Sequence, residues 1–77
     1  MSRILVTGAA GLVGQALLDA AAGSPHDLVA GDIRAPSRLP SGASFERLDV
    51  RGDDPVRLIG ELRPDAVVHL ASIVTPP

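Results

Sequence analysis

The sequence contains no cysteine, lysine, tyrosine or tryptophan, and Phe45 is its only aromatic residue. Without cysteine the chain forms no disulfide and no thiolate site, and a reducing cytoplasm is the default location. With one aromatic side chain, any core must be built from Ile, Leu, Val and Ala. A core of this kind is typical of a parallel β-sheet that is covered on both faces.

The charge balance and the lengths of the apolar runs argue against two classes of partner. The 77 residues carry a net charge of -2, and all seven positive side chains are arginine. We therefore expect no nucleic-acid partner, because such a partner requires a basic face. No apolar run approaches the ~20 residues of a membrane span, so we expect no membrane partner. We also identify no pattern of metal ligands.

Short aliphatic runs alternate with helical patterns along the chain. The patterns predict strands at 3–6, 28–32, 44–50 and 66–70, helices at 12–22 and 56–62, and a loop at 71–77. Asp54 is expected to cap the second helix, with Pro55 in its first position. Strands separated by helices pair in parallel through right-handed crossovers. The predicted fold class is α/β, a doubly wound parallel sheet.

A glycine-rich segment joins the first strand to the first helix. In Thr7-Gly8-Ala9-Ala10-Gly11-Leu12-Val13-Gly14, Gly8 allows a sharp turn, Gly11 allows a pyrophosphate to approach, and Gly14 allows close helix packing. We expect phosphates at the helix N-terminus and a hydrogen bond from Thr7 within the loop. The pattern predicts a Rossmann-type fold with cofactor contacts from Gly8, Ala10, Gly11, Leu12, Val13 and Gly14.

Asp32 ends the second predicted strand, 18 positions after Gly14. A carboxylate there accepts hydrogen bonds from ribose hydroxyls and repels a 2′-phosphate, so NAD is the predicted cofactor and NADP is disfavoured. Arg34 lies two residues further on and weakens that preference. The predicted cofactor contacts in this segment are Asp32, Ile33 and Arg34.

Other interpretations of the glycine loop stay open. The glycines can simply close a tight strand–helix turn while Asp32 caps a loop. A methyltransferase-type fold also combines a glycine loop with an acidic second strand. A mononucleotide P-loop is disfavoured because no Gly-Lys-Ser/Thr follows the glycines.

Three segments resemble one family. Thr7-Gly8-x-x-Gly11-x-x-Gly14 resembles the fingerprint of extended short-chain dehydrogenases/reductases, the NAD-dependent epimerase/dehydratase group. Leu48-Asp49-Val50 is similar to the family's acidic position after the third strand, which implies that Asp49 and Val50 contact adenine. His69-Leu70-Ala71-Ser72 is similar to a His-Leu-Ala-Ala stretch, which implies backbone contacts to the cofactor from Leu70, Ala71 and Ser72.

Simpler roles compete for several of these polar residues. Asp49 can instead bond only to loop N–H groups before Arg51. His69 is interpreted as a packed, hydrogen-bonded strand residue and not as a catalytic one. Arg51, Arg57 and Arg63 are interpreted as exposed solubilising charges.

The resemblance implies a reaction that these residues cannot perform by themselves. The family uses a Tyr with a Lys four residues later, and the chain has neither, so no catalytic residue is assigned. We expect residues 1–77 to be the N-terminal portion of a dinucleotide-binding domain, with the catalytic and substrate-binding portion absent. For the full-length protein, the resemblance implies hydride transfer between nicotinamide and a carbinol or carbonyl carbon of a small molecule, such as a nucleotide sugar. We also expect the full-length protein to be a homo-oligomer.

Two other functions remain open at this stage. The chain can belong to a non-enzymatic dinucleotide sensor, in which the missing Tyr and Lys are natural. It can also be a natural short protein that completes its sheet with a partner at the open edge of the fourth strand.

Overall fold

The computed structural model describes residues 2–70 as a four-stranded parallel sheet with two helices. The elements are β1 Arg3–Thr7, α1 Leu12–Ala20, β2 Asp27–Asp32, β3 Ala43–Arg47, α2 Asp54–Leu62 and β4 Ala66–His69. The strand order is β3-β2-β1-β4, and every neighbouring pair is parallel. The predicted α/β class is confirmed. All four strands therefore end at the same edge of the sheet.

Alternation along β1 and β2 builds a separate core on each face of the sheet. Successive strand side chains point to opposite faces. On one face, Val6, Leu28 and Ala30 cluster with Leu18 of α1. On the other face, the cluster consists of Leu5, Val29, Leu48 and Leu58 of α2. The two helices thus cover opposite faces, and both cores are aliphatic, as the composition predicts.

The ends of α1 and β3 differ from the predicted bounds. α1 ends at Ala20, two residues early: Ala21 is its C-cap, and the next N–H, that of Ala22, bonds to Asp19 O (3.3 Å), three residues back instead of four. Gly23 then adopts a φ of 81°, a left-handed conformation that favours glycine. β3 ends at Arg47, where the prediction extended to 50.

The start of α2 also corrects the prediction. Asp53 is the N-cap, and Asp54 is the first helical residue. The expected capping by Asp54 is wrong, because its Oδ2 accepts a hydrogen bond from Asp49 N at 3.0 Å instead. Asp54 therefore joins α2 to the segment that follows β3. Within residues 2–70, neither helix is long and apolar enough to cross a membrane.

Leu58 is the buried residue of α2, 1% exposed, and it packs in the cluster with Leu5 and Val29 of the sheet. Replacing a core leucine by alanine loses apolar contact and leaves a cavity, so we expect Leu58→Ala to lower the free energy of unfolding by about 2–5 kcal/mol. Ile59→Ala is the matched control, because Ile59 is the next residue and is 44% exposed. Denaturant unfolding measures both variants, and equal losses would contradict the packing of α2.

Candidate functional site

A cleft of about 560 Å³ opens at the edge where the four strands end. It is lined by residues at the end of a strand or after it: Gly8, Gly11, Asp32, Ile33, Arg34, Leu48, Asp49, Val50, Arg51 and Leu70. Open parallel sheets bind their ligands at this edge. The structure therefore brings together predicted site residues from four separate segments of the sequence.

The other predicted site residues do not line this cleft. Ala10 and Leu12 line an adjoining cleft of about 540 Å³, which shares Gly11 and Arg34 with the first. Val13 is exposed on the first turn of α1, and Gly14 is buried beneath the loop. The predicted contacts Ala71 and Ser72, and the predicted loop at 71–77, lie outside the described residues.

The glycine loop is a tight turn whose geometry explains its glycines. Gly8 has a φ of 72°, which favours glycine, and its carbonyl oxygen accepts a hydrogen bond from Gly11 N at 3.2 Å. A Cβ on Gly14 would lie 2.6 Å from Ala9 Cα and closer still to Gly8 O. The first turn of α1 therefore rests on the loop backbone itself, and only a residue without a side chain fits there.

The N-terminus of α1 is not capped by any side chain within the described residues. Gly11 is the N-cap, and the first turn has no acidic residue. The first backbone N–H groups of a helix have no partner within the helix, and they carry the positive end of its dipole. Because Gly11 has no side chain to cover these donors, this geometry fits a pyrophosphate group.

Asp32 is held in place by the loops on either side of it. Its Oδ2 accepts from Ala10 N at 2.9 Å, and its Oδ1 accepts from Ile33 N at 2.7 Å. The loop-capping alternative is thus a real contact of this side chain. These two bonds leave acceptor capacity on the carboxylate, because each oxygen has a further lone pair that can accept a hydrogen bond from a ribose hydroxyl. The ribose contact stays a prediction.

Asp49 forms an ion pair inside the cleft with Arg51. Asp49 Oδ1 accepts from Arg51 N and Nε at 3.0 Å, and Asp49 Oδ2 accepts from Arg51 Nη2 at 3.0 Å. These bonds match the loop-bonding alternative, and the adenine contact stays a prediction. Both residues line the cleft, so Arg51 is not only a solubilising charge. The sequence analysis did not predict that Arg51 pairs with Asp49. The two residues are only two positions apart, and that spacing is a local signal for such a pair.

The Arg51 side chain lowers the pKa of Asp49 to about 2, from an ordinary value of 3.8. The pair therefore contributes its full stabilisation above the pKa that Asp49 has in the unfolded chain. That stabilisation is lost as the pH falls toward 2, the pKa of Asp49 in the folded chain. We expect Arg51→Gln to return the Asp49 pKa toward its ordinary value. Carboxyl carbon NMR titration measures that change. Arg63→Gln is the control, because Arg63 does not perturb this carboxylate; an Asp49 pKa unchanged by Arg51→Gln would contradict the ion pair.

A tether joins α1 to the loop that follows β2. Gln15 Nε2 donates to Arg38 O at 2.9 Å, and Arg38 N donates to Gln15 Oε1 at 3.1 Å. Arg38 Nη2 also pairs with Asp19 at 2.5 Å and lowers the pKa of that carboxyl. The tether forms one wall of the second cleft. Arg34 lies between the two clefts and makes no ion pair within residues 2–70.

The ends of β1 and β4 are joined by side chains as well as by the backbone. Thr7 Oγ1 lies 2.7 Å from His69 Nδ1, and Leu70 N donates to Thr7 O at 3.0 Å. The sequence predicts a hydrogen bond from Thr7 within the loop, which stays a prediction; the contact with His69 crosses to the neighbouring strand. His69 is hydrogen-bonded as expected, although it is exposed and not packed.

The fold and the site together define a class of protein. A parallel sheet of order 3-2-1-4, with a glycine loop leading into a helix at its carboxyl edge, is the front half of a Rossmann-type fold. The sequence profile of the NAD dependent epimerase/dehydratase family matches residues 4–77. The chain belongs to this family.

Solved structures agree with this assignment. WbmH of Bordetella bronchiseptica, crystallised with NAD+, is 29% identical over 100% of this chain and 28% of its own, with a TM-score of 0.78. WbmG of the same organism, crystallised with NAD, is 29% identical over 99% of this chain and 26% of its own, with a TM-score of 0.79. A monomeric L-threonine 3-dehydrogenase from a metagenome is 32% identical over 94% of this chain and 24% of its own, with a TM-score of 0.74.

The chain spans about a quarter of the length of these solved relatives. No curated protein sequence matches it significantly.

Proposed function

We propose that residues 1–77 form the NAD-binding N-terminal portion of an oxidoreductase domain, whose remaining portion supplies the catalytic and substrate-binding groups. The observation that carries the proposal is the cleft at the carboxyl edge, which unites the glycine loop, Asp32 and Asp49. The family membership and the NAD complexes of WbmH and WbmG support the choice of cofactor.

Each part of the cleft has a distinct task in this proposal. The α1 N-terminus, with the backbone of Gly11, Leu12 and Val13, would bind the pyrophosphate. Asp32, already fixed by two loop N–H groups, would accept hydrogen bonds from the adenosine ribose. Asp49 would contact the adenine amino group through its carboxylate, which the hydrogen bonds from Arg51 hold in place.

The bound cofactor would accept or return a hydride at its nicotinamide, and this chain would only bind and orient it. We propose that the full-length protein uses this chemistry on a carbinol or carbonyl carbon, as an epimerase, dehydratase or dehydrogenase. A nucleotide sugar is the proposed substrate, supported by the WbmG structure that contains NAD and UDP. A homo-oligomer and a cytoplasmic location stay predictions.

NMR titration of the 15N-labelled chain with NAD tests the cofactor site. We expect saturable shifts at the amides of Gly8, Gly11 and Gly14, because these lie in the loop at the cleft. Gly42 and Gly60 are internal controls on exposed parts of the chain, and we expect their amides to stay unchanged. Equal shifts at all five glycines, or none in a folded chain, would contradict the proposal.

A dinucleotide sensor without catalysis is the second candidate, favoured by the absence of Tyr and Lys from these 77 residues. An assay of the full-length protein for NADH formation, or for conversion of a substrate to its isomer, distinguishes the oxidoreductase from the sensor. Turnover that disappears when a Tyr-x-x-x-Lys pair is replaced would exclude the sensor. Tight NAD binding without any turnover would favour it.

A further inference from the structure

Thr7 occupies the junction between the sheet and the glycine loop. It is the last residue of β1, it is buried, and it directly precedes Gly8, where the backbone turns. In the parallel pairing of β1 with β4, Thr7 stands opposite His69. Its side chain contacts the His69 ring at 2.7 Å, and its carbonyl oxygen accepts from Leu70 N at 3.0 Å. Thr7 is therefore bound to the end of β4 twice.

The opposite side of the glycine loop is bound to β2. Ala9 N donates to Gly31 O at 3.2 Å, and Ala10 N donates to Asp32 Oδ2 at 2.9 Å. The loop is thus bound directly to β2, and it is connected to the end of β4 through Thr7, the residue that precedes it. A ligand-binding site works well only when its binding groups stay within about 0.5 Å of their productive positions, and surrounding hydrogen bonds hold them there.

His69 does not line the cleft, whereas its neighbour Leu70 does. Within residues 2–70, His69 is connected to the cleft through its contact with Thr7 and through its neighbour Leu70. A hydroxyl can donate or accept a hydrogen bond, so the Thr7–His69 contact is compatible with either ring tautomer.

We infer that Thr7 and His69 form a positioning pair, which fixes the glycine loop and the end of β4 in the geometry that binds the dinucleotide. The effect of this pair on NAD binding rests on the proposed function, whereas its effect on the geometry of the loop does not. It assigns no chemistry to His69, and it gives the Thr7 hydroxyl a task outside the loop.

Amide hydrogen exchange and NAD titration of four variants test the pair. Thr7→Val removes the hydroxyl, and His69→Phe keeps a ring without its nitrogens. One neutral hydrogen bond contributes about 1 kcal/mol, so we expect either change to weaken NAD binding and to speed exchange at Gly11 and Leu70 about three- to tenfold. The amide of Val29 in central β2 is the control for global unfolding. Thr7→Ser keeps the hydroxyl and should restore both properties.

The double variant Thr7→Val/His69→Phe completes the test. If the two residues act as one pair, the double variant should be no worse than either single variant. Additive losses, or a Thr7→Ser variant as weak as Thr7→Val, would overturn the inference. If the wild-type chain bound no NAD, the proposed function would fail, while the exchange rates at Gly11 and Leu70 would still decide on the pair.

Discussion

Replacing Gly14 by alanine is expected to lower the free energy of unfolding by about 1–3 kcal/mol, as overpacking does in a tightly packed interior. The added Cβ would lie 2.6 Å from Ala9 Cα. The atoms it meets belong to the backbone of the glycine loop, which cannot rotate away as a side chain can. The helix must therefore move from the loop, and the first-turn N–H groups of α1 move with it.

Gly60 provides the matched control for this substitution. It also lies in a helix, α2, but a Cβ there would meet no atom within 4 Å. Alanine has a higher helix propensity than glycine, so Gly60→Ala should raise the free energy of unfolding by about 0.5–1 kcal/mol. Thermal and urea unfolding measure both variants. A Gly14→Ala variant as stable as Gly60→Ala would contradict the close packing of α1 on the loop.

Removing the charge of Asp32 is expected to shift cofactor preference from NAD toward NADP. A hydrogen bond to a charged group contributes about 1.5–3 kcal/mol, so we expect the ratio of the NADP to the NAD dissociation constant to fall at least about tenfold. Asp32→Asn and Asp32→Ser both remove the repulsion of a 2′-phosphate. Arg34, which makes no ion pair within the described part of the chain, is then free to attract that phosphate.

The two Asp32 variants differ in what they do to the loop. Asn keeps a carbonyl oxygen that can accept from Ala10 N, whereas the shorter Ser side chain loses that 2.9 Å contact. We therefore expect Asp32→Ser to weaken the binding of both dinucleotides more than Asp32→Asn. Calorimetric titration with NAD and NADP gives the four constants. An unchanged ratio in both variants would show that Asp32 does not contact the ribose.

The order of strands and helices was predictable because each strand is a short aliphatic run between turn residues. Val29 and Leu5, for example, belong to runs that suit a sheet buried on both faces. The glycine spacing and Asp32 located the cleft, since the carboxyl ends of parallel strands share one edge. Exact ends were less predictable, because the change at Ala22 from four-residue to three-residue backbone bonding has no signature in the alanine run that ends α1.

The side-chain network around the cleft was not predictable from local patterns. Arg38 and Gln15 are 23 residues apart, and Thr7 and His69 are 62 residues apart. Such contacts form only after the sheet has brought distant segments together. Asp54 shows that a local pattern can also indicate the wrong contact. Its position at the start of a helix predicts an N-cap, but its carboxylate accepts a hydrogen bond from the backbone N–H of Asp49.

The most direct test is isothermal calorimetry of the 77-residue chain with NAD, after circular dichroism has confirmed the fold, with NADP as the comparison. We expect saturable binding of one NAD per chain, with NADP weaker because of Asp32. A folded chain that binds neither dinucleotide, or that binds NADP more tightly than NAD, would contradict the assignment of this cleft as an NAD site.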